Sequence, residues 1–238
     1  MSLDILNFIN NIVLPSYCIV CGNYGPYICR NCMYKYFNIN FYNICHVCGV
    51  STYKLNLHKE CEDSRNLDKL LFFCEYNWAS KKIIEEVKYR GSYSIAKEVA
   101  DHMVKYFRFK QKDYWPSEFL ITCVPSHKYK FNERGFNQSE LLAKEIALQL
   151  NIEFVDLLSK TQNTQKQAGA SKTKRVINLG NFKIKKIIKN RIVIIIDDVH
   201  TTGSTLNNCA AELKRNGIEI VWGFTFAKSL NYSQVSIN

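Results

Sequence analysis

The segment Ile192-Val-Ile-Ile-Ile-Asp-Asp-Val-His-Thr-Thr-Gly-Ser-Thr205 constrains the fold more than any other part of the chain. Its run of β-branched residues reads as a strand buried on both faces, as in a parallel sheet. Two adjacent carboxylates, Asp197 and Asp198, end the run, and beyond Val199 and His200 come Thr201, Thr202, Gly203, Ser204 and Thr205. From Leu206 the apolar spacing turns helical: Leu206, Cys209, Ala210 and Leu213 fall on one face, with Gly217 as the expected stop. The unit is strand, acidic pair, hydroxyl-rich loop, helix.

The remaining segments repeat that alternation. Residues 69–76, 118–125 and 219–229 read as buried strands, the second halted by Pro125. Residues 79–91 and 93–110 read as helices broken near Gly91. Asn137 with Glu140 is a capping-box variant before a helix through about Leu150. Strands alternating with helices predict a parallel sheet flanked by helices, with ligands at the carboxyl ends of the strands. The polar loops at 126–136 and 197–205 both leave from that edge.

The first third of the chain is different. Four pairs recur at metal-ligand spacing: Cys18/Cys21, Cys29/Cys32, Cys45/Cys48 and His58/Cys61. Two such pairs make a closed tetrahedral zinc site with no open position for water, so the zinc expected here is structural. A segment of about fifty residues with few aliphatic clusters needs such a staple to fold. Sequential pairing gives Cys18, Cys21, Cys29, Cys32 and then Cys45, Cys48, His58, Cys61; interleaved pairing and an iron–sulfur cluster use the same ligands. Cys74, Cys123 and Cys209 lie in apolar contexts and read as core. Leu3, Leu6, Ile9 and Val13 predict an N-terminal helix packed on the body or on this module. The expected division is a zinc-binding module over 1–66 and an α/β domain over 67–238.

With 238 residues and 47% apolar content the chain can bury a sizeable core. No apolar run reaches the length of a membrane span, and Met1 to Pro15 lacks the basic region of a signal peptide, so a cytoplasmic protein with no integral membrane segment is expected. The formal charge is +11, falling to about +8 once two thiolate-rich zinc sites are counted. It is unevenly placed: Leu157 to Ile196 holds ten Lys or Arg and no acidic residue. Such a block marks contact with phosphate, in nucleic acid or in a polyphosphate ligand.

The loop chemistry narrows the ligand. Backbone N–H groups from Thr201 to Thr205, at a helix N-terminus, form a nest for a phosphate, with hydroxyls adding donors and Gly203 permitting close approach. A phosphate there repels carboxylates, so Asp197 and Asp198 should point to sugar hydroxyls or to a magnesium-bound ligand. A ribose 5-phosphate satisfies both halves. A second anion such as a pyrophosphate would meet Ser126, His127, Lys128, Lys130 and Arg134 on the facing loop. A nucleotide hydrolase also ends a strand in acidic residues, but it needs a Gly-Lys-Ser/Thr phosphate loop that this sequence lacks.

These residues resemble a known family. The segment 192–205 is similar to the phosphoribosyl-pyrophosphate (PRPP) loop of type I phosphoribosyltransferases. The stretch "CVPSHKYKFNERGFNQSELLA" resembles the Val-Pro-x-His…Arg-Gly-Phe-Asn-Gln segment of the ComF/GntX competence family, with the histidine one residue nearer the proline. Val87 to Gly91 resembles that family's Leu-Lys-Phe-x-Gly turn, and Thr164, Gln167, Arg175, Asn178 and Phe182 its basic segment. The cysteine module completes the likeness, although His58 stands where a cysteine is expected. His200 replaces an aliphatic residue of many active enzymes and reads as a solvent-facing loop histidine.

The resemblance implies a type I phosphoribosyltransferase-like sheet with a small N-terminal zinc-binding module. It assigns Asp197 and Asp198 to the ribose hydroxyls and Thr201, Thr202, Gly203, Ser204 and Thr205 to the 5-phosphate. Mg2+ with Lys128, Lys130 or Arg134 would neutralise a leaving pyrophosphate, so Asp197, Asp198, Lys128 and Arg134 are the catalytic candidates if the protein turns over. The competence family implies handling of incoming single-stranded DNA, with a competence helicase or recombination proteins as partners. Lys166, Lys172, Lys174 and Arg175 are the candidate DNA contacts, and Tyr129, Phe131 and Phe136 offer stacking surfaces or packing for a hood over the site. An active transferase with an unidentified acceptor and a PRPP-gated regulator remain alternatives.

Overall fold

The computed structural model describes residues 15–40, 45–48, 50, 52, 58–62, 66–90, 93–111, 119–126, 133–161, 182–188 and 192–230. Two short helices, α1 (Arg30–Tyr36) and α2 (Lys59–Glu62), belong to the cysteine-rich region. The body follows as β1 (Lys69–Glu75), α3 (Trp78–Arg90), α4 (Tyr93–Lys110), β2 (Phe119–Cys123), α5 (Gln138–Leu150), β3 (Glu153–Phe154), β4 (Leu158–Lys160), β5 (Phe182–Ile184), β6 (Ile192–His200), α6 (Ser204–Arg215) and β7 (Ile220–Lys228). Five strands form one sheet in the order β1-β7-β6-β2-β3, and every pairing in it is parallel.

Strand β6 lies at the centre with both faces covered, which is why its sequence is continuously apolar rather than alternating. Ile194 and Ile196 pack into the larger core with α3, α4 and α5, while Val193 and Ile195 pack into a second cluster with Leu206, Cys209 and Leu213 of α6. Each such side chain, fully buried, contributes about 1.5–3 kcal/mol of transfer free energy. Cys74, Cys123 and Cys209 are buried core residues, as their contexts predict.

The strands, the two helices α3 and α4 and the helix after Thr205 all lie close to their predicted places, while the predicted break near Gly91 lies outside the described residues. Three features differ. Strand β6 continues past the acidic pair to His200, because Val199 and His200 still pair with Ala227 and Lys228 of β7. Asn137 does cap α5, its side chain accepting from the Ser139 N–H, but Glu140 does not complete a capping box: its carboxylate takes Lys144 one turn on, at 2.7 Å. The short β3 and the antiparallel pair β4–β5 had no sequence signal strong enough to stand out from loop. That pair brings Lys160 opposite Phe182, so the basic segment leaves and returns at one place.

The cysteine-rich region is packed against the body. Ile28 and Phe37 belong to the same core as β1 and α4, and Ile39 bridges to Cys74. Glu98 on α4 accepts the backbone N–H groups of Tyr27 and Ile28 at 3.0 and 2.6 Å. The predicted N-terminal helix lies outside the described residues. No helix among the described residues is long and apolar enough to cross a membrane.

Candidate functional site

The two cysteine clusters assemble as sequential pairing predicts. Cys18, Cys21, Cys29 and Cys32 bring their ligand atoms within 4.8 Å of one another, and Cys45, Cys48, His58 and Cys61 do the same. Interleaved pairing is thereby excluded, and His58 is a member of its cluster, its Nδ1 3.3 Å from Cys48 Sγ. Cys21 Sγ and Cys29 Sγ lie 3.8 Å apart, the edge expected of a tetrahedron with metal–sulfur bonds of about 2.3 Å. None of the ten cysteines is in a disulfide.

Each cluster is also electrostatically prepared for a cation. Burial pushes the Cys18 thiol up, but backbone N–H groups of Cys29, Cys21 and Val20 outweigh it and hold it at about 7. Cys45 behaves alike, at about 7, through the N–H groups of Cys48, His58 and Val47. Burial and neighbouring thiols push Cys32 and Cys61 up. Crowded sulfurs of this kind resist ionising together until a metal ion offsets the charge. Both clusters can hold one.

The second site is the carboxyl edge of the sheet. Register places Cys123 of β2 beside Ile196 of β6, so Val124 to Ser126 and the acidic pair emerge side by side. Asp197 is buried and accepts the Ser139 hydroxyl at 2.8 Å and the Asp198 N–H at 3.0 Å. Asp198 accepts the Val199 N–H on Oδ1 at 2.9 Å and meets Lys88 Nζ on Oδ2 at 2.6 Å. Burial first, and then the neighbouring Asp198 carboxylate, push the Asp197 carboxyl up to about 8 against the opposing pull of Ser139.

Beyond the strand the chain forms the predicted loop. Gly203 adopts φ +76° and caps α6 without a side chain of its own; the Ser204 N–H donates to the Thr202 hydroxyl at a long 3.5 Å, and the helix end presents its other first-turn N–H groups to an anion. Thr201, Thr202, Ser204 and Thr205 are exposed around it, with the Thr202 and Ser204 hydroxyls 3.1 Å apart. The expectation of a solvent-facing His200 is wrong: extension of β6 buries the ring to 6% exposure, against Gly203. His46, between the ligands Cys45 and Cys48, lines a small cavity there with Leu67, His200, Thr202, Gly203 and Asn207. The metal-type module therefore abuts the phosphate-type loop.

Of the residues expected to face it, Ser126 and Arg134 are half-buried. The Arg134 guanidinium lies over the Tyr89 ring at 5.4 Å and donates to Gln138 at 3.3 Å, while its Nε is buried with no hydrogen-bond partner among the described residues. His127, Lys128 and Lys130, with Tyr129 and Phe131, lie outside the described residues, as do Lys166, Lys172, Lys174 and Arg175; Phe136 is half-buried. Sequence reasoning missed Ser139 and Lys88 as partners of the acidic pair. The first sits two residues beyond a recognised cap and the second inside the Val87–Gly91 turn, so position relative to known motifs was the available signal.

Residues 137–230 match the phosphoribosyl transferase domain family. The chain is 29% identical over 214 residues to competence protein ComFC of Bacillus subtilis, covering 85% of this chain and 84% of that one. It is 28% identical over 210 residues to competence protein F of Haemophilus influenzae, covering 84% of this chain and 90% of that one. The DNA utilization protein YhgH of Escherichia coli is 34% identical over 112 residues, 46% of this chain and 49% of that one. Similarity to competence proteins over most of the chain, together with the phosphoribosyl transferase domain match, supports the ComF competence-protein family for this chain.

Proposed function

We propose that the carboxyl edge of the sheet binds magnesium-bound PRPP and that the protein uses this site while handling single-stranded DNA in natural transformation. The carrying observation is the junction of β6 and α6. There an acidic pair on a central parallel strand runs directly into an open helix N-terminus lined by exposed hydroxyls. The 5-phosphate takes the N–H groups and hydroxyls of Thr201 to Thr205, and the ribose hydroxyls donate to Asp197 and Asp198. The diphosphate with its Mg2+ meets Ser126, His127, Lys128, Lys130 and Arg134. Magnesium supplies charge neutralisation at the diphosphate, while the chain's own cations orient it.

The DNA half of the reading rests on charge and kinship. The basic stretch between Leu157 and Ile196 holds ten cations and no acid, and relatives of this chain carry competence and DNA utilization names. Zinc is the metal proposed for both cysteine clusters, since four soft or borderline ligands close each shell. In this reading residues 1–66 are a zinc module and 67–238 the phosphoribosyltransferase domain, with the protein acting in the cytoplasm.

Two assays test these halves. Mg·PRPP should raise the melting temperature of the wild type and leave Asp198→Asn unmoved; an unshifted wild type contradicts the site. Binding of a labelled single strand should fall steeply with salt, and neutralising Lys172, Lys174 and Arg175 together should reduce the slope of log K against log[salt] by about 2. An unchanged slope removes that segment from the DNA path.

A further inference from the structure

Lys88 and Tyr89 have no assigned role, yet the end of α3 that carries them joins the two halves of the site. Lys88 Nζ lies 2.6 Å from Asp198 Oδ2, with the two side chains 24% and 11% exposed. That oxygen has no hydrogen-bond partner among the described residues, so its pairing with Lys88 is one of charge. The next residue, Tyr89, carries Arg134 over its ring at 5.4 Å, although the ring itself is 70% exposed. One helix end thus reaches the acidic strand with one side chain and the cationic loop with its neighbour.

We propose that Lys88 bridges Asp198 to the diphosphate of the bound sugar phosphate, and that Tyr89 is the platform that aims Arg134 at the same group. This rests on the reading of the edge as a PRPP site. An ammonium has three donors, and the contact with Asp198 uses one. The guanidinium likewise keeps a buried Nε without a partner among the described residues. The ammonium compensates Asp198 in the ligand-free protein, and the arriving diphosphate takes the unused donors without the ion pair having to break. Lys88 would therefore discriminate between sugar phosphates by the group on the anomeric carbon. A 5-phosphorylated ribose lacking the diphosphate gains nothing from it.

The test compares Mg·PRPP with ribose 5-phosphate by calorimetry on zinc-loaded full-length protein: wild type, Lys88→Met, Lys88→Arg and Tyr89→Ala. The Lys88→Met variant should bind Mg·PRPP about ten- to a hundredfold more weakly, the loss expected of one charge-assisted hydrogen bond. Its ribose 5-phosphate affinity should stay within about threefold, and Lys88→Arg should recover most of the PRPP loss. Tyr89→Ala should show the same ligand selectivity with a smaller loss. Equal weakening for both ligands would reduce Lys88 to a support for Asp198 and overturn the proposal, as would no weakening for either. If Lys88→Met does not fold, Lys88→Arg and Tyr89→Ala still decide by the same ratio of the two affinities. A folded wild type that binds neither ligand would instead remove the PRPP site itself.

Discussion

Replacing Gly203 by alanine perturbs the phosphate loop at a point where the structure sets the size of the effect. Gly203 has φ +76°, and a Cβ built there would stand 2.6 Å from His200 Nε2 and 3.0 Å from its Cε1. The left-handed backbone costs an L-residue about 1–2 kcal/mol. The overlap adds about 1–3 kcal/mol, because the His200 ring is buried at the end of β6 and has little room to retreat. Gly203→Ala should therefore lose about 2–5 kcal/mol in a urea unfolding titration, a large share of the total stability of a domain. The two contributions separate in a double-mutant cycle with His200→Ala. Only the overlap needs the imidazole, so the coupling energy should be about 1–3 kcal/mol, with the backbone cost surviving in the double variant. A coupling below about 0.5 kcal/mol would show that the ring does not limit the loop, and the packing of β6 against α6 would need another explanation.

Further outcomes follow from the same geometry. Purified protein should carry two zinc ions per chain by elemental analysis, Cys61→Ser or His58→Ala should leave about one, and a strong chelator should abolish near-UV circular dichroism; an unchanged metal content in either variant would dissociate the second cluster from zinc. Glu98→Ala strands the N–H groups of Tyr27 and Ile28 and should destabilise by about 1–3 kcal/mol in urea, detaching the first cluster from α4. The raised pKa of Asp197 gives stability that is present in acid and is lost as pH rises from about 4 towards about 8. Asp197→Asn should flatten that part of the pH–stability curve, and an unaltered slope would assign the effect to another group.

Much of the architecture is legible in the sequence because its causes are local. The run Ile192–Ile196 is apolar on both faces, so only a covered strand suits it, and the i, i+3, i+4, i+7 spacing from Leu206 fixes the face that α6 buries. Cys-x-x-Cys spacing fixes ligand pairs in the same way. What stayed illegible depends on tertiary partners. The extension of β6 to His200 needs β7 alongside it, and the burial of that ring follows from the pairing rather than from loop composition. The inward turn of Asp197 depends on a hydroxyl at Ser139, 58 residues earlier, and the Asp198 ion pair on Lys88 at the end of a distant helix. Sequence adjacency of two aspartates hides the fact that they meet different partners, Ser139 on α5 and Lys88 on α3.

The central claim is that the edge formed by Asp197, Asp198 and residues 201–205 binds a phosphorylated ribose through its acids and its helix end. A calorimetric titration of zinc-loaded protein with Mg·PRPP, run beside the folded Asp197→Asn/Asp198→Asn double variant, tests it most directly. Saturable one-site binding by the wild type, abolished in the double variant, is the expected result. Equal binding by both proteins, or heat from neither, would contradict the account.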